Sequence, residues 1–370
     1  MILSSFSFST DGWSLRGLDH LGPVNLLVGQ NASGKTRTLR SLDSVASFIK
    51  GVTKIMLLPE SFSASLVFSE PEIDGWQMSY QFNSRGGNIE KEILTVNGET
   101  VIHRLHNKAT LKGEDIQPPL NKLVIQIRRD RLLYPENELI INWAENVTSL
   151  SFSNINNRAI PSWADFITPY KFSDLVAEMS EQDIKAVVEE AKNLGYDIEE
   201  LKAVEIHPNA SLVSLKESFG KPIIEFELSN GMLRVLYLLC FLQHFKSTRF
   251  PSILLIDDMG EGLDYMRATS LGEKVFADCQ NHGIQLFASS NDPFMMDVVD
   301  LDHWQLICRS RNDIDVLNKD NAPQLFNEFR QTGLSNFDLL ASDFIQLYST
   351  TNPTPLTPSP LWAGVMNTTS

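Results

Sequence analysis

The sequence predicts an α/β fold with a mainly parallel core sheet, an antiparallel β subdomain and a small helical insertion. Three observations lead there. The run Val24-Asn25-Leu26-Leu27-Val28 is nearly all apolar, as in a strand buried on both faces, and passes through a glycine-containing turn into an amphipathic stretch. Residues 230–288 alternate apolar helical and apolar extended runs, the order that builds parallel sheets. Between residues 54 and 127, short β-prone runs are separated by Asp74-Gly75, Gly86-Gly87 and Asn97-Gly98, which mark antiparallel hairpins.

Taken in order, Phe6 and Phe8 alternate with serines in a first short strand. Leu39, Leu42, Val45, Ala46 and Ile49 fall at helical spacing within Arg37–Ile49. Leu123–Ile127 reads as a strand. From about 162 to 204 the pattern is helical and acidic, with Gly195 as a C-cap. Two hairpin-like strands follow Leu212, then an apolar helix over Asn230–Phe245, a buried strand over Ser252–Asp257, a helix near 266–281 and a strand over Gln285–Ala288. The Thr-, Ser- and Pro-rich end from Ser349 predicts a disordered extension. The expected division is 1–127, an N-terminal lobe with the glycine turn and hairpins; 128–205, the helical insertion; 206–348, a C-terminal lobe; and 349–370, the tail.

Composition sets limits. The 370 residues are 42% hydrophobic and 21% charged, enough for a sizeable core in two domains or one large domain with an insertion. Thirty-one Lys and Arg against 46 Asp and Glu leave a net charge of −15. That excludes a whole-surface nucleic-acid coat but not a local basic groove. Cys240, Cys279 and Cys308 fit no zinc or redox spacing and read as reduced core thiols. The first residues lack a secretion signal, and the longest apolar stretch, Met232–Phe245, is shorter than a membrane span and carries Arg234. A cytoplasmic protein without a membrane partner is the expectation.

Gly29-Gln30-Asn31-Ala32-Ser33-Gly34-Lys35-Thr36 fits G-x-x-x-x-G-K-[ST]. The glycines let successive backbone N–H groups, from Asn31 through Thr36, curl inward on phosphate oxygens, and the following helix presents its positive end to the same anion. Lys35 supplies charge to the β- and γ-phosphates, and the Thr36 hydroxyl is a ligand for Mg²⁺. Ser252–Asp258 reads S-I-L-L-I-D-D, which puts carboxylates at the ligand-binding edge of a parallel sheet. Asp257 would hold Mg²⁺ through water, and Asp258 would position or deprotonate the attacking water. A plain solvated acidic turn is the alternative. In Leu228-Ser229-Asn230-Gly231, Ser229 or Asn230 can cap the apolar helix that follows.

Together these segments resemble the ATP-binding cassette heads of the SMC/RecF type among P-loop NTPases. The loop at 29–36 matches that group's G-x-N-x-S-G-K-T, and Leu228–Gly231 its L-S-x-G. Asp257–Asp264 aligns with D-E-P-x-x-x-L-D, which places Asp264 at the D-loop position. Gln285–Asp292 resembles the switch strand, with Asn291 where the group usually carries His. The general likeness is to prokaryotic AAA-type ATPases related to the overcoming-lysogenization-defect (OLD) group. The resemblance implies ATP and Mg²⁺ as cofactors, and a homodimer or higher oligomer with ATP sandwiched between heads. There Ser229 and Gly231 of one copy would face the phosphate loop of another. It also implies a separate effector, a nuclease or toxin, in anti-phage defence. Asp258 in place of the usual Glu, and Asn291 in place of His, imply slow hydrolysis. Glu261 is a less suitable base, Gln126 is the best candidate for the Q-loop glutamine, and Phe8 or Trp13 for contact with the base.

Arg128, Arg129 and Arg131 either bind phosphates of nucleic acid or nucleotide, or neutralise nearby acids; the acidic composition favours the second. His103 and His106 lack the further ligands a metal needs and read as surface residues. A RecF-like DNA-binding ATPase in repair or recombination is the alternative function, with nucleic acid as its partner. A transporter cassette is opposed by the long hairpin region and by Met232 where those cassettes usually carry Gln.

Overall fold

A computed structural model describes residues 1–52, 59–151, 171–207, 210–248, 252–342 and 344–345. The chain opens with β1 (Ile2–Thr10), β2 (Trp13–Leu18), β3 (Val24–Val28) and α1 (Lys35–Ile49). Hairpins follow as the Gly turns predict: β4 (Ser61–Ser69), β5 (Gln77–Arg85), β6 (Asn88–Val96), β7 (Glu99–Leu105), β8 (Lys108–Leu111) and β9 (Glu114–Ile116). Next come α2 (Val124–Ile127), α3 (Pro135–Glu145), β10 (Val147–Ser151), α4 (Phe172–Glu178) and α5 (Glu181–Asn193). A small antiparallel sheet of β11 (Glu200–His207), β12 (Ala210–Lys216) and β13 (Ile223–Ile224) precedes α6 (Asn230–Thr248) and β14 (Ser252–Asp257). The chain continues through α7 (Tyr265–His282), β15 (Ile284–Ser289), α8 (Pro293–Val298), β16 (Trp304–Ser310), β17 (Asp313–Leu317), α9 (Pro323–Gln331) and α10 (Asp338–Ala341).

One sheet of 14 strands runs in the order β10-β14-β15-β3-β16-β17-β2-β1-β4-β5-β6-β7-β8-β9. The five strands from β10 to β16 are parallel, and the run from β2 through β1 to β9 is antiparallel. The hairpins thus extend the core sheet edge to edge. Side-chain alternation splits each core strand between two cores. Leu26, Val28, Leu254, Ile256, Leu286 and Ala288 pack with α6 and α7, while Leu27, Ile253, Leu255 and Phe287 face α1 and α3. α6 is apolar on nearly all sides because it lies inside the first core.

Three sequence expectations change. Leu123–Ile127 is not a strand but the short helix α2. Buried Glu92 accepts the first helical amides, from Val124 (2.7 Å) and Ile125 (3.4 Å), and the Gln126 side chain returns to the Leu123 N–H (3.1 Å). Tertiary partners outweigh the β propensity of Val and Ile here. Residues 128–205 are not wholly helical: β10 pairs in parallel with β14, from Val147 opposite Ile253 to Ser151 opposite Asp257. The acidic helical pattern stops at Gly195, whose positive φ of 79° ends α5, and Glu200–His207 pairs with β12 as a strand. The tail at 349–370 lies outside the described residues. All three cysteines are free; Cys240 and Cys279 are buried and Cys308 is half-buried, and burial holds the last two thiols up at about 12 and about 11.

Candidate functional site

The carboxyl ends of β3, β14 and β15 meet at one edge of the sheet. Leu27 pairs with Ser289, and Ile256 with Ala288, so Leu27, Asp257 and Ser289 lie level and the loop begins two residues further on at Gly29. The backbone leaves β3 through the phosphate loop and enters α1 at Gly34. Gly34 has φ 113°, and a Cβ there would run into Ile314 Cδ1; a Cβ on Gly29 would lie 2.6 Å from the Ile307 carbonyl. Only glycine fits both places. The Gly34 carbonyl accepts from Thr38 N–H (2.8 Å) and from the Thr38 hydroxyl (3.1 Å), which starts α1 at once after the turn.

Lys35 is buried and donates to the Gly29 carbonyl (2.6 Å) and the Gln30 carbonyl (3.2 Å). Burial lowers its pKa, opposed by the negative charges of Asp258 and Asp257. The Thr36 hydroxyl donates to Asp257 Oδ1 at 3.0 Å, and the Ser289 hydroxyl to the same oxygen at 2.7 Å. Ser289 Oγ also accepts from Asp258 N–H at 2.9 Å, which holds Asp258 in a left-handed conformation (φ 54°) at the strand end. Asp258 carries a raised pKa, first from burial, then from Asp257 and Glu261, with Lys35 and Arg234 opposing. Asn291 Nδ2 donates to Asp258 Oδ1 at 3.1 Å. Asn31, Ala32, Ser33, Gly34, Lys35, Thr36, Asp258 and Asn291 line one cavity of about 550 Å³, a size that suits a small-molecule ligand.

The structure therefore brings together the phosphate loop, both aspartates and Asn291. Phe8 and Trp13 line the same cavity, with ring centroids 5.4 Å apart and the Arg37 guanidinium 5.2 Å from the Trp13 ring centre. Ser229, Gly231 and Asp264 stand apart from the cavity lining. Ser229 is exposed and caps α6, its hydroxyl accepting from Met232 N–H at 3.3 Å. Gly231 packs on Gly262 and Leu263. Asp264 caps α7, accepting from Arg267 N–H at 3.1 Å; that bond, and the Arg267 charge after it, hold its carboxyl below the usual range.

Other candidates take structural places. Gln126 Nε2 donates to the Phe48 and Ile49 carbonyls (2.6 and 3.2 Å), at the end of α1 farthest from the phosphate loop. A helix of 15 residues puts that end roughly 22 Å away, so Gln126 is not a Q-loop glutamine. Arg129 pairs with Glu138 (2.9 Å) and Glu145 (3.3 Å), as the charge-neutralising reading expects. Glu261 pairs with Arg234 at 3.2 Å. His103 and His106 are exposed, and no group of three or more His, Cys, Asp or Glu among the described residues is arranged to hold a metal. Two residues of the site had no role assigned from the sequence: Ser289, fully buried at the end of β15 and bonded to Asp257 and Asp258, and Arg309, which lines the cavity from beyond the last recognisable motif.

The residues suit nucleotide and magnesium on structural grounds. Ser33 Oγ is buried beside the cavity without a hydrogen-bond partner, a hydroxyl that a phosphate oxygen would satisfy. Thr36 and Asp257 offer adjacent hard oxygen donors, the set Mg²⁺ prefers.

Fold and site together define an α/β nucleotide-binding-type domain with the fold of SMC heads. The chain belongs to the family described as "AAA domain, putative AbiEii toxin, Type IV TA system", whose pattern matches residues 108–297, just over half of its length. Among solved structures it is similar to an Smc head bound to the C-winged helix domain of ScpA, with 12% identity, 88% of this chain and 100% of that one covered, and a TM-score of 0.54. It is also similar to an Smc head domain with an extended coiled coil, bound to the C-terminal domain of ScpA from Pyrococcus furiosus. There the identity is 10%, the coverage 89% and 99%, and the TM-score 0.50. No curated protein matches the sequence. Among the described residues, no helix is long and apolar enough to cross a membrane.

Proposed function

We propose that this chain binds ATP with Mg²⁺ at residues 29–36 and hydrolyses it slowly. The observation that carries the reading is the convergence of buried Lys35, the Thr36–Asp257 pair and Asp258 on one cavity. Lys35, already shielded from water, neutralises phosphate charge at little further desolvation cost. Thr36 and Asp257 would hold magnesium, which would supply positive charge to polarise the phosphate oxygens. Asp258 accepts a proton from water as the water oxygen attacks the γ-phosphorus and the bond to the bridging oxygen breaks. Its raised pKa makes it a stronger base than a solvated aspartate. Asn291 fixes the Asp258 carboxylate but cannot carry a proton charge, in keeping with slow turnover. In calorimetry, wild type should take up ATP with Mg²⁺ and Lys35→Ala should not, and Asp258→Asn should bind ATP without releasing phosphate. Absence of heat with wild type would overturn the reading.

We further infer that two copies close around ATP, each offering Ser229 and Gly231 to the other's phosphate loop. The support is that both residues lie away from their own cavity, Ser229 exposed just before α6 and Gly231 in the first turn of that helix. ATP should shift Asp258→Asn toward a dimer in sedimentation; unchanged sedimentation counts against it. The head would then switch a separate effector, a nuclease or toxin, in anti-phage defence. Copurification of such a protein with the ATP-loaded head tests that role.

A further inference from the structure

The turn joining β16 and β17 reaches the phosphate loop. β16 lies parallel to β3 with Leu306 opposite Val28, so Ile307 stands beside Gly29 and Arg309 continues along the edge of the loop. On the returning strand, Ile314 fills the space that a Cβ on Gly34 would need. The hairpin therefore braces the loop at both glycines. Between them, Arg309 Nη1 donates to the Ala32 carbonyl at 3.2 Å, and Nε donates to the Arg311 carbonyl at 2.9 Å. Ala32 itself has φ 64°, a conformation that non-glycine residues adopt only when held.

The charge on Arg309 is the informative part. Arg16, Arg104, Arg129, Arg234, Arg267 and Arg330 all pair with carboxylates. Arg309 is exposed, bonds only to backbone carbonyls, and has no carboxylate partner among the described residues. In a chain with net charge −15, such a cation lines the same cavity as Lys35. A guanidinium has five donors in a planar fork that suits phosphate oxygens, and the two bonds to carbonyls leave donors over.

We propose that Arg309 is a phosphate-binding residue for the nucleotide, delivered by the β16–β17 turn to the loop at 29–36. This rests on the nucleotide reading above. The alternative is that Arg309 serves only to hold the Ala32 carbonyl, and charge separates the two. Arg309→Gln keeps a donor for that carbonyl and loses the charge; Arg309→Lys keeps the charge. Calorimetry on the full chain with ATP and Mg²⁺ is expected to show about tenfold weaker binding for Arg309→Gln and Arg309→Ala, the loss typical of one charge-assisted contact. Arg309→Lys should stay within about threefold of wild type, and the salt dependence of binding should flatten in the Gln variant alone of these two. Because the side chain is exposed, these variants should fold, which thermal unfolding checks. Wild-type affinity in Arg309→Gln overturns the proposal while leaving the nucleotide reading intact. No ATP binding by wild type would bring down both.

Discussion

Gly34→Ala tests whether the shape of the phosphate loop is imposed by the hairpin behind it. A Cβ at residue 34 would occupy a left-handed conformation (φ 113°) and meet Ile314, whose Cγ1 is 3.2 Å away and whose Cδ1 is closer still. Two costs follow. Backbone strain at such a position is about 1–3 kcal/mol. Forcing a methyl into packed side chains costs about 1–3 kcal/mol more. The sum, roughly 2–6 kcal/mol, is a large part of the ~5–15 kcal/mol by which folded domains are stable. Ile314→Val separates the two costs. By itself it removes one buried methylene, about 0.5–1.5 kcal/mol. In the Gly34→Ala background it removes the colliding Cδ1 and leaves φ strained. A double-mutant cycle by urea unfolding should show the pair about 1–2 kcal/mol less destabilising than the sum of the singles. ATP affinity should fall at least about tenfold in Gly34→Ala and recover only in part in the double variant, since the strained residue also carries the loop N–H groups. Additive singles, or a Gly34→Ala chain as stable as wild type, would refute the argument that Ile314 shapes the loop.

Ser289→Ala removes both the donor to Asp257 and the acceptor for Asp258 N–H; it should cost about 1–3 kcal/mol in urea unfolding and slow phosphate release far more than it weakens ATP binding. Asp258 has a raised pKa in the folded chain, so the native state holds its proton to higher pH than the unfolded state does. Stability should therefore fall as pH climbs from the ordinary aspartate range through the raised value, and Asp258→Asn should abolish that component. Hydrolysis requires the ionised carboxylate and should rise over that same window, which a pH–rate profile would show. Gln126→Ala should destabilise the chain by about 1 kcal/mol through the uncapped end of α1 and leave Mg²⁺-dependent hydrolysis unchanged; a selective loss of hydrolysis would restore its Q-loop reading.

The parts of the fold legible in the sequence are those where a local rule and the tertiary structure agree. Val24–Val28 and Ser252–Asp257 are apolar because both faces of the core sheet are covered, and the turns at Gly86-Gly87 and Asn97-Gly98 demand the positive φ that the backbone shows there. The convergence at the sheet edge was legible for the same reason: the turn from β3 into α1 needs glycine where the backbone is crowded, and Asp257 ends an apolar strand. What escaped depends on partners distant in sequence. α2 is helical because Glu92, 32 residues earlier, receives the Val124 N–H. β10 mixes Ser and Thr with Val and Leu, and only its pairing with β14 makes it a strand. Gln126 follows an apolar run and precedes arginines, a context equally suited to a site or to the cap it forms. Arg309 reaches the loop from 277 residues beyond Ala32, a separation over which no pattern operates.

The residues that stand outside the cavity form a unit of their own. Gly231 packs against Gly262 and Leu263, and Arg234 donates to the Glu261 carbonyl at 2.7 Å and to its carboxylate at 3.2 Å. These contacts fasten the start of α6 to the turn that follows Asp258. Ser229 at one end of the unit and Asp264 at the other are both exposed caps, each holding the first amides of its helix. A shift of the turn at Asp258 would therefore reach both caps together through packed contacts and the Arg234–Glu261 ion pair, because α6 is held in the core on nearly all sides. If a second copy reads the state of the nucleotide, this rigid connection gives it one surface on which loss of the γ-phosphate can register.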